Sequence, residues 1–298
     1  MPATDPLPAA TVILARQQAA EIQVYLLKRS PKSRFMAGNY VYPGGIVDSD
    51  DGDLDFWNRY TDLDIAAIDR CLGGEFPVAE AMAFGITAIR ETFEEAGVLL
   101  VHPDAYQGAD LEQVCEMRLT RDLSNGWLKR AVQRKGWVLQ VSALKRWAHW
   151  LTPALMPRRY DTRFFVAVLP SGQVCRPDDH ETTHGVWINP LQALEANQTG
   201  AMPLSPPTLV TLHQLLAFKH LEAVLQSAEA RTWGPVLEPR LILTDEGPVI
   251  VEPWDVQYTD QDLSIDAVAL SAGLVPAGAP FSRLWYKGGL WQPVAMLA

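Results

Sequence analysis

The chain has 298 residues, of which 48% are hydrophobic and 20% charged, and this is the composition of a globular protein rather than of a disordered or membrane-spanning chain. Its net charge of -10 argues against a nucleic-acid duplex or an anionic membrane as the main partner, because both are bound through lysine and arginine. The three cysteines, Cys71, Cys115 and Cys175, are too few and too far apart for a disulfide framework or a zinc site, so we expect them to be reduced.

The N-terminal part predicts three strands followed by a long helix. Residues 11–16, 22–30 and 39–45 are rich in β-branched and apolar side chains, and the third run is closed by a proline and two glycines. The acidic segment 48–76 interrupts this pattern. Residues 77–96 then repeat apolar side chains every three or four positions, as an amphipathic helix does. The first residues lack the basic region of a secretory signal, so we expect a cytoplasmic protein.

The remaining two thirds of the chain predict helices, then a mixture, then a β-rich end. Helical spacing broken by glycine indicates two or three short helices between residues 105 and 152. The later predicted elements are strands at 162–170 and 184–190, one long helix at 206–231, and hairpins turned at glycine at 239–253 and 282–294.

Three glutamates, Glu91, Glu94 and Glu95, lie at the end of the long N-terminal helix. They fall within an arc of roughly 100° opposite the apolar stripe, which by itself is typical of a solvent-exposed face. Carboxylates in the last helical turn oppose the helix dipole, however, at a cost of about 0.3–1 kcal/mol each. A divalent cation reverses this cost, because Mg²⁺ prefers clustered carboxylate oxygens. Both a solvated face and a metal site are therefore compatible with the pattern.

The segment from Arg90 to Gly97 resembles the second half of the Nudix box, G-x5-E-x7-R-E-U-x-E-E-x-G-U, in which U is aliphatic. The matching residues are Arg90, Glu91, Glu94, Glu95 and Gly97, and Thr92 replaces the first aliphatic residue. The first half is missing at the required distance, since Met82 stands in place of its glutamate. Upstream, "YPGG" at 42–45 is similar to the family's F-P-G-G. Six positions after Gly45 the box glutamate would be Asp51, far before the helix begins, so we predict an insertion of about thirty residues within the box.

A second motif narrows the resemblance. The sequence "LLKRSPKSRFMAGNYVYPGG" resembles the motif beside the box in coenzyme A diphosphatases, with Tyr25, Leu27 and Tyr42 as departures from it. The residues that match with their spacing are Arg29, Ser30, Arg34, Gly38, Pro43, Gly44 and Gly45. Residues 150–170 and 180–194 are similar to segments of the long-insertion branch, which includes peroxisomal acyl-CoA diphosphatases.

The resemblance implies an α/β fold, namely a Nudix α/β/α sandwich with a mixed sheet. Residues 1–228 would form the Nudix domain, with one insertion at about 48–77 and a helical insertion at about 105–152. Residues 229–298 would form a C-terminal β-rich extension, whose role the resemblance does not define.

The resemblance also implies the reaction and its residues. The reaction is metal-dependent cleavage of the diphosphate of coenzyme A or acyl-CoA to 3′,5′-ADP and (acyl-)4′-phosphopantetheine, with Mg²⁺ or Mn²⁺ as cofactor. The metal ligands would be the Gly44 carbonyl, Glu91, Glu94 and Glu95. Arg90 would orient a glutamate, and Glu181 would be a further ligand or base. The side chains expected on the substrate phosphates are Arg29, Arg34 and Arg163.

Several alternatives stay open at this level. Among Arg158, Arg159 and Arg163, one is expected to pair with Asp161 instead of binding phosphate. The aromatic residues Trp147, Trp150 and Phe164 would either line a groove for an acyl-pantetheine arm or belong to the core. The substrate is a small molecule in every reading, and a homodimer is compatible with all of them. Rival functions are an ADP-ribose or dinucleotide (NADH-type) diphosphatase and a non-catalytic nucleotide sensor.

Overall fold

Seven strands of the described residues form one mixed sheet. The computed structural model describes residues 4–33, 36–74, 76–102, 109–120 and 122–295. The strands are β1 (Leu7–Gln18), β2 (Glu21–Arg29), β3 (Tyr40–Val41), β4 (Gly44–Ile46), β5 (Lys145–Leu151), β6 (Tyr160–Val168) and β7 (Thr182–Ile188). Their order is β3-β2-β1-β6-β5, with β4 paired to β1 and β7 paired to β2. The β1–β6 pair is parallel and the other pairs are antiparallel.

The sheet has a hydrophobic core on each face, because alternate side chains of a strand point to opposite sides. Along β1, Val12 and Leu14 belong to one core, whereas Ile13 and Ala15 belong to the other. The neighbouring strands alternate in the same way. Both faces must therefore be covered by helices, and this confirms the predicted α/β/α sandwich.

The first face is covered by α3 (Val78–Ala96), which ends at Gly97 in the left-handed conformation, with φ of 73°. Around it lie a 3₁₀ turn (Ser49–Gly52) and the shorter helices α1 (Leu54–Trp57), α2 (Ile65–Leu72), α4 (Ala109–Leu119) and α5 (Trp127–Lys135). The chain between β4 and α3 thus folds back onto α3 and contributes Trp57, Ile68 and Leu72 to the first core.

The predicted helical stretch 105–152 is correct for α4 and α5 but wrong at its end. Residues Lys145–Leu151 form β5, which pairs with β6 at the edge of the sheet. Helical spacing of tryptophans misled the sequence-based prediction, because a strand whose two faces are both buried also carries consecutive large apolar residues.

The second face is covered by α6 (Pro190–Gln198), α7 (Pro206–Leu215) and α8 (Leu221–Glu229). The prediction of a single helix over 206–231 is therefore wrong, since the helix is interrupted between α7 and α8. The break lets both segments place their apolar residues in the second core, and Gln17 Oε1 accepts a hydrogen bond of 2.9 Å from the Leu221 N–H at the start of α8.

The C-terminal part forms a separate antiparallel sheet in the order β11-β10-β9-β8. Its elements are β8 (Arg240–Ile242), β9 (Val249–Val251), α9 (Ala267–Ala272), β10 (Arg283–Lys287) and β11 (Leu290–Val294). Both predicted hairpins are confirmed. Ile250, Leu284 and Trp291 join the second core, so this sheet packs directly on the main sandwich. Within the described ranges, no helix has the length and apolar character needed to cross a membrane.

Candidate active site

The last turns of α3 and the short strand β4 meet at a cluster of glutamates. The Gly44 N–H donates a hydrogen bond of 2.9 Å to Glu95 Oε2. A Cβ atom at Gly45 would overlap the Glu91 carboxylate, and one at Gly44 would overlap the backbone carbonyl of Ala10, so the close packing of β4 here favours glycine. Glu95 is only 5% exposed. The interpretation as a solvent-exposed helix face is therefore wrong.

Arg90 lies beneath the glutamates and contacts two of them. Its Nη1 atom is 2.7 Å from Glu91 Oε1 and 3.2 Å from Glu94 Oε2, and its Nη2 atom donates to the Ile46 carbonyl at 2.9 Å. The side chain is nearly buried, so these bonds fix its position. Such charge-assisted bonds hold carboxylates in one geometry more firmly than neutral ones.

Asp51 is a site residue that the sequence reasoning did not assign. It is 2% exposed, and its Oδ2 atom lies 2.8 Å from Arg90 Nη2 and accepts a hydrogen bond of 2.8 Å from Thr87 Oγ1. Its place six positions after Gly45 was the available signal. The box acid is thus an aspartate that precedes the insertion, and the 3₁₀ turn carries it back to α3.

The electrostatics of the cluster reflect burial. Burial raises the pKa of Glu91 to about 7 and the pKa of Glu94 above its usual value. Burial and the charge of Glu91 raise the pKa of Glu95 well above its usual range. Burial lowers the pKa of Arg90, but the hydrogen bonds with Asp51 and the nearby charge of Glu91 outweigh this and raise it. Burial therefore disfavours the charged forms of all three glutamates, although Arg90 partly offsets this for Glu91 and Glu94.

The donor set fits a hard divalent cation by its chemistry. Three carboxylates at one place, each disfavoured as an anion by burial, gain when a cation neutralises them. In the part of the chain that the structure describes, no three acidic, histidine or cysteine side chains are yet arranged around one point as ligands. Glu91 and Glu94 instead face Arg90, and Glu95 faces the Gly44 N–H.

Arg29 and Glu181 reach the same place from neighbouring strands. The Ser30 N–H donates to the Glu181 carbonyl at 2.8 Å, which joins the end of β2 to the start of β7. The guanidinium of Arg29 donates to Ser33 Oγ at 3.1 Å from both Nε and Nη2. The charge of Arg29 lowers the pKa of Glu95 and that of Glu181 raises it. Arg34 lies outside the described residues.

A cavity of about 580 Å³ extends from this cluster. Its polar end contains Arg29, Gly44, Gly45, Glu91, Glu94, Glu95 and Glu181. Most of the other lining side chains are apolar, among them Trp150, Met156, Tyr160 and Phe164. Trp150 and Phe164 are therefore both core residues and cavity walls, whereas Trp147 belongs to the core and donates to Gln214 Oε1 at 3.0 Å.

Arg163 does not line this cavity, contrary to the prediction that it binds substrate. Its Nη1 atom lies 2.5 Å from Asp161 Oδ1. Its guanidinium carbon lies 4.9, 5.0 and 5.5 Å from the ring centroids of Phe76, Phe84 and Trp233. Arg163 is thus the structural member of the group of three arginines. Arg158 lines the cavity, and Arg159 pairs with Glu238 at 2.6 Å.

A second, polar cavity of about 320 Å³ borders the other side of Glu94. Trp127, at the start of α5, donates from Nε1 to Glu94 Oε1 at 2.5 Å. Arg118 and His180 also line this cavity. No motif indicated this contact of Trp127, because the residue lies within the predicted helical insertion, outside both motifs.

Comparisons with known proteins agree with this architecture. Residues 6–215 match the family model described as the NUDT19 Nudix domain. The chain is 28% identical over 320 residues to the acyl-coenzyme A diphosphatase NUDT19 of Xenopus laevis, covering 95% of this chain and 82% of that protein. The human acyl-coenzyme A diphosphatase NUDT19 is 28% identical over 280 residues, which cover 81% of this chain and 74% of the human protein. The crystal structure of a NUDIX hydrolase from Alicyclobacillus acidocaldarius superposes with a TM-score of 0.62 at 25% identity, covering 78% of this chain and 99% of that one.

Proposed function

The chain belongs to the NUDT19 Nudix family and is a Nudix hydrolase, and on this premise we propose that it cleaves the diphosphate of coenzyme A or acyl-CoA. The products are 3′,5′-ADP and 4′-phosphopantetheine, the latter acylated when the substrate is. The names of its relatives support this substrate class.

One observation carries the proposal. A single cavity combines a cluster of four glutamates and Arg29 at one end with a long apolar wall leading away from it. Coenzyme A has a matching division, since its charged diphosphate is joined to a long, mostly uncharged pantetheine arm. Sites of this kind use a few polar groups to fix the reacting atoms and apolar walls to bind the rest.

The chain's own residues supply positioning and charge. Arg29 is placed to bind a phosphate oxygen, and the planar guanidinium suits that geometry. Asp51 holds Arg90, which in turn orients Glu91 and Glu94. Glu91, Glu94 and Glu95, with the Gly44 carbonyl, would hold Mg²⁺ or Mn²⁺, which when bound neutralises the diphosphate and lowers the pKa of water.

Hydrolysis then requires water to attack one phosphorus while the bond from that phosphorus to the bridging oxygen breaks. We assign Glu181 as the acceptor of the proton of that water, because its side chain lies at the polar end of the cavity on the exposed loop before β7. The bridging oxygen leaves with the other phosphate. Positioning and electrostatic stabilisation provide most of the acceleration in such phosphoryl transfers.

The test is product identification. The full-length protein is incubated with Mg²⁺ or Mn²⁺ and, separately, coenzyme A, an acyl-CoA, ADP-ribose and NADH. We expect 3′,5′-ADP from the coenzyme A species at higher kcat/KM than AMP from ADP-ribose or NADH. Failure to release 3′,5′-ADP from any coenzyme A species would overturn the proposal, and AMP release alone would favour the dinucleotide or ADP-ribose alternative.

A further inference from the structure

The C-terminal sheet supplies part of the wall of the active-site cavity. Pro239, Leu241, Ile250 and Trp291 line it, although they lie 140 or more positions after Glu95 in the sequence. We propose that these residues form the binding groove for the acyl-pantetheine arm of the substrate and make acyl-chain length a determinant of its specificity. This inference rests on the proposed function.

The extension is fixed on the sandwich at the point where the groove begins. Leu237 pairs with the edge strand β5, because its carbonyl accepts from the Leu151 N–H at 2.9 Å and its N–H donates to the His149 carbonyl at 2.8 Å. The adjacent Glu238 pairs with Arg159 at 2.6 Å. Strand β8 follows two residues later, so Pro239 and Leu241 are held against the cavity as a preformed wall.

The opposite wall is also apolar and comes from the main domain. Trp150 and Phe164 project from β5 and β6, and Met156 lies in the loop between these strands. The space between the two walls is therefore suited to methylene groups, whose removal from water stabilises a complex. All the glutamates and Arg29 lie at the other end, which orients such a chain away from the diphosphate.

Two hydrogen-bond donors in the cavity wall match the amides of pantetheine. The Tyr42 hydroxyl and the Trp150 indole N–H are buried, and neither has a hydrogen-bond partner among the described residues. Both residues line the cavity. A pantetheine arm carries amide carbonyls that accept from such donors, and buried donors gain from being satisfied. This feature favours the pantetheine arm over a plain hydrocarbon as the occupant nearest the polar end.

The test fills the groove at Leu241 and compares substrates of different chain length. Leu241→Trp adds bulk at the cavity wall, and Leu243→Trp, at a position that is 73% exposed, is the matched control. We expect Leu241→Trp to lower kcat/KM for decanoyl-CoA by about tenfold or more. The fall in kcat/KM should be smaller for butanoyl-CoA and smallest for coenzyme A. Leu243→Trp is expected to leave all three unchanged.

A second variant and a binding measurement make the result independent of folding and of turnover. Leu241→Ala removes wall contacts without adding bulk, and we expect it to weaken the binding of decanoyl-CoA more than the binding of coenzyme A. Decanoyl-pantetheine, which lacks the nucleotide, is expected to inhibit the wild type, with weaker inhibition in both Leu241 variants. Inhibition by adenosine 3′,5′-bisphosphate should not change.

The outcomes separate this inference from the proposed function. Release of 3′,5′-ADP with equal effects of Leu241→Trp on all chain lengths and on ADP-ribose would overturn the inference and assign the groove to the adenosine end. If 3′,5′-ADP is released and neither Leu241 variant changes kcat/KM for any substrate, the extension takes no part in substrate binding. Absence of 3′,5′-ADP from every coenzyme A species would instead remove the proposed function itself.

Discussion

The two ends of the cavity differ in how their residues are encoded. The polar end is built from β4 and α3, where charged residues at fixed spacings converge around Arg90. The apolar end is built from β5, β6 and the C-terminal sheet, whose contributing residues have no common spacing. A metal-and-phosphate site requires particular donor atoms at particular positions, whereas an apolar wall requires only volume and exclusion of water. The first therefore leaves a motif in the sequence and the second does not.

The largest expected effect is at the polar end. Glu94→Gln keeps the size of the side chain and removes its charge, so we expect turnover to fall by about a hundredfold to a thousandfold or more while the fold is retained. The matched control is Glu80→Gln on the exposed first turn of the same helix, which should have no effect on turnover. Release of product is measured with circular dichroism as the check on folding. A fully active Glu94→Gln protein would contradict the site.

The second prediction concerns the support beneath the glutamates. Asp51→Asn leaves Arg90 without its buried partner, and breaking a buried ion pair in this way costs about 3–5 kcal/mol of unfolding free energy. Because Arg90 also orients Glu91 and Glu94, kcat should fall together with stability. Asp50→Asn is the control, since the Asp50 side chain is exposed and its ion pair with Lys129 is long, at 3.5 Å. Denaturant unfolding and steady-state kinetics measure both effects. Unchanged stability would show that Arg90 does not depend on Asp51.

Much of the polar end could be predicted, and the reasons for the failures are local. The Nudix pattern indicated Glu91, Glu94 and Glu95, the neighbouring coenzyme A motif indicated Arg29, and all four line one cavity. The fold class followed from alternating strands and the resemblance. Arg163 was misassigned because its pairing with Asp161 and its enclosure by rings depend on long-range packing. The strand β5 was misassigned because burial on both faces hides its period.

Glu252, which directly follows β9, is a buried carboxyl group outside both motifs, and it provides the third prediction. Glu252 is 0% exposed, and neither carboxylate oxygen has a hydrogen-bond partner among the described residues. Burial raises the pKa of Glu252 to about 8 from 4.5. The folded state therefore binds the proton more tightly than the unfolded chain does. Its contribution to stability is complete below pH 4.5 and is lost as the pH rises to about 8.

Glu252→Gln removes this titration. We expect the wild-type unfolding free energy to fall relative to that of the variant by about 2–4 kcal/mol between pH 4.5 and pH 8. The difference between the two proteins is the relevant quantity, because other carboxyl groups titrate equally in both. Urea unfolding at several pH values provides the measurement. Parallel stability profiles would mean that the carboxylate finds a partner in solution and that burial does not raise its pKa.

The smallest expected effect tests whether the helical segment before β5 contributes to the polar end. Trp127→Phe keeps the ring contact with Phe93 at 4.9 Å but removes the N–H that donates to Glu94. A hydrogen bond to a charged group contributes about 1.5–3 kcal/mol, and partial exposure of Glu94 reduces this, so we expect kcat to fall only about threefold to tenfold. Trp233→Phe is the matched control, because its N–H donates at 2.7 Å to the Leu72 carbonyl, away from the glutamates. Both variants should lose some stability, but only Trp127→Phe should slow turnover. Equal kcat values in the two variants would mean that Glu94 is positioned by Arg90 alone, and that the helical segment encloses the polar end without orienting it.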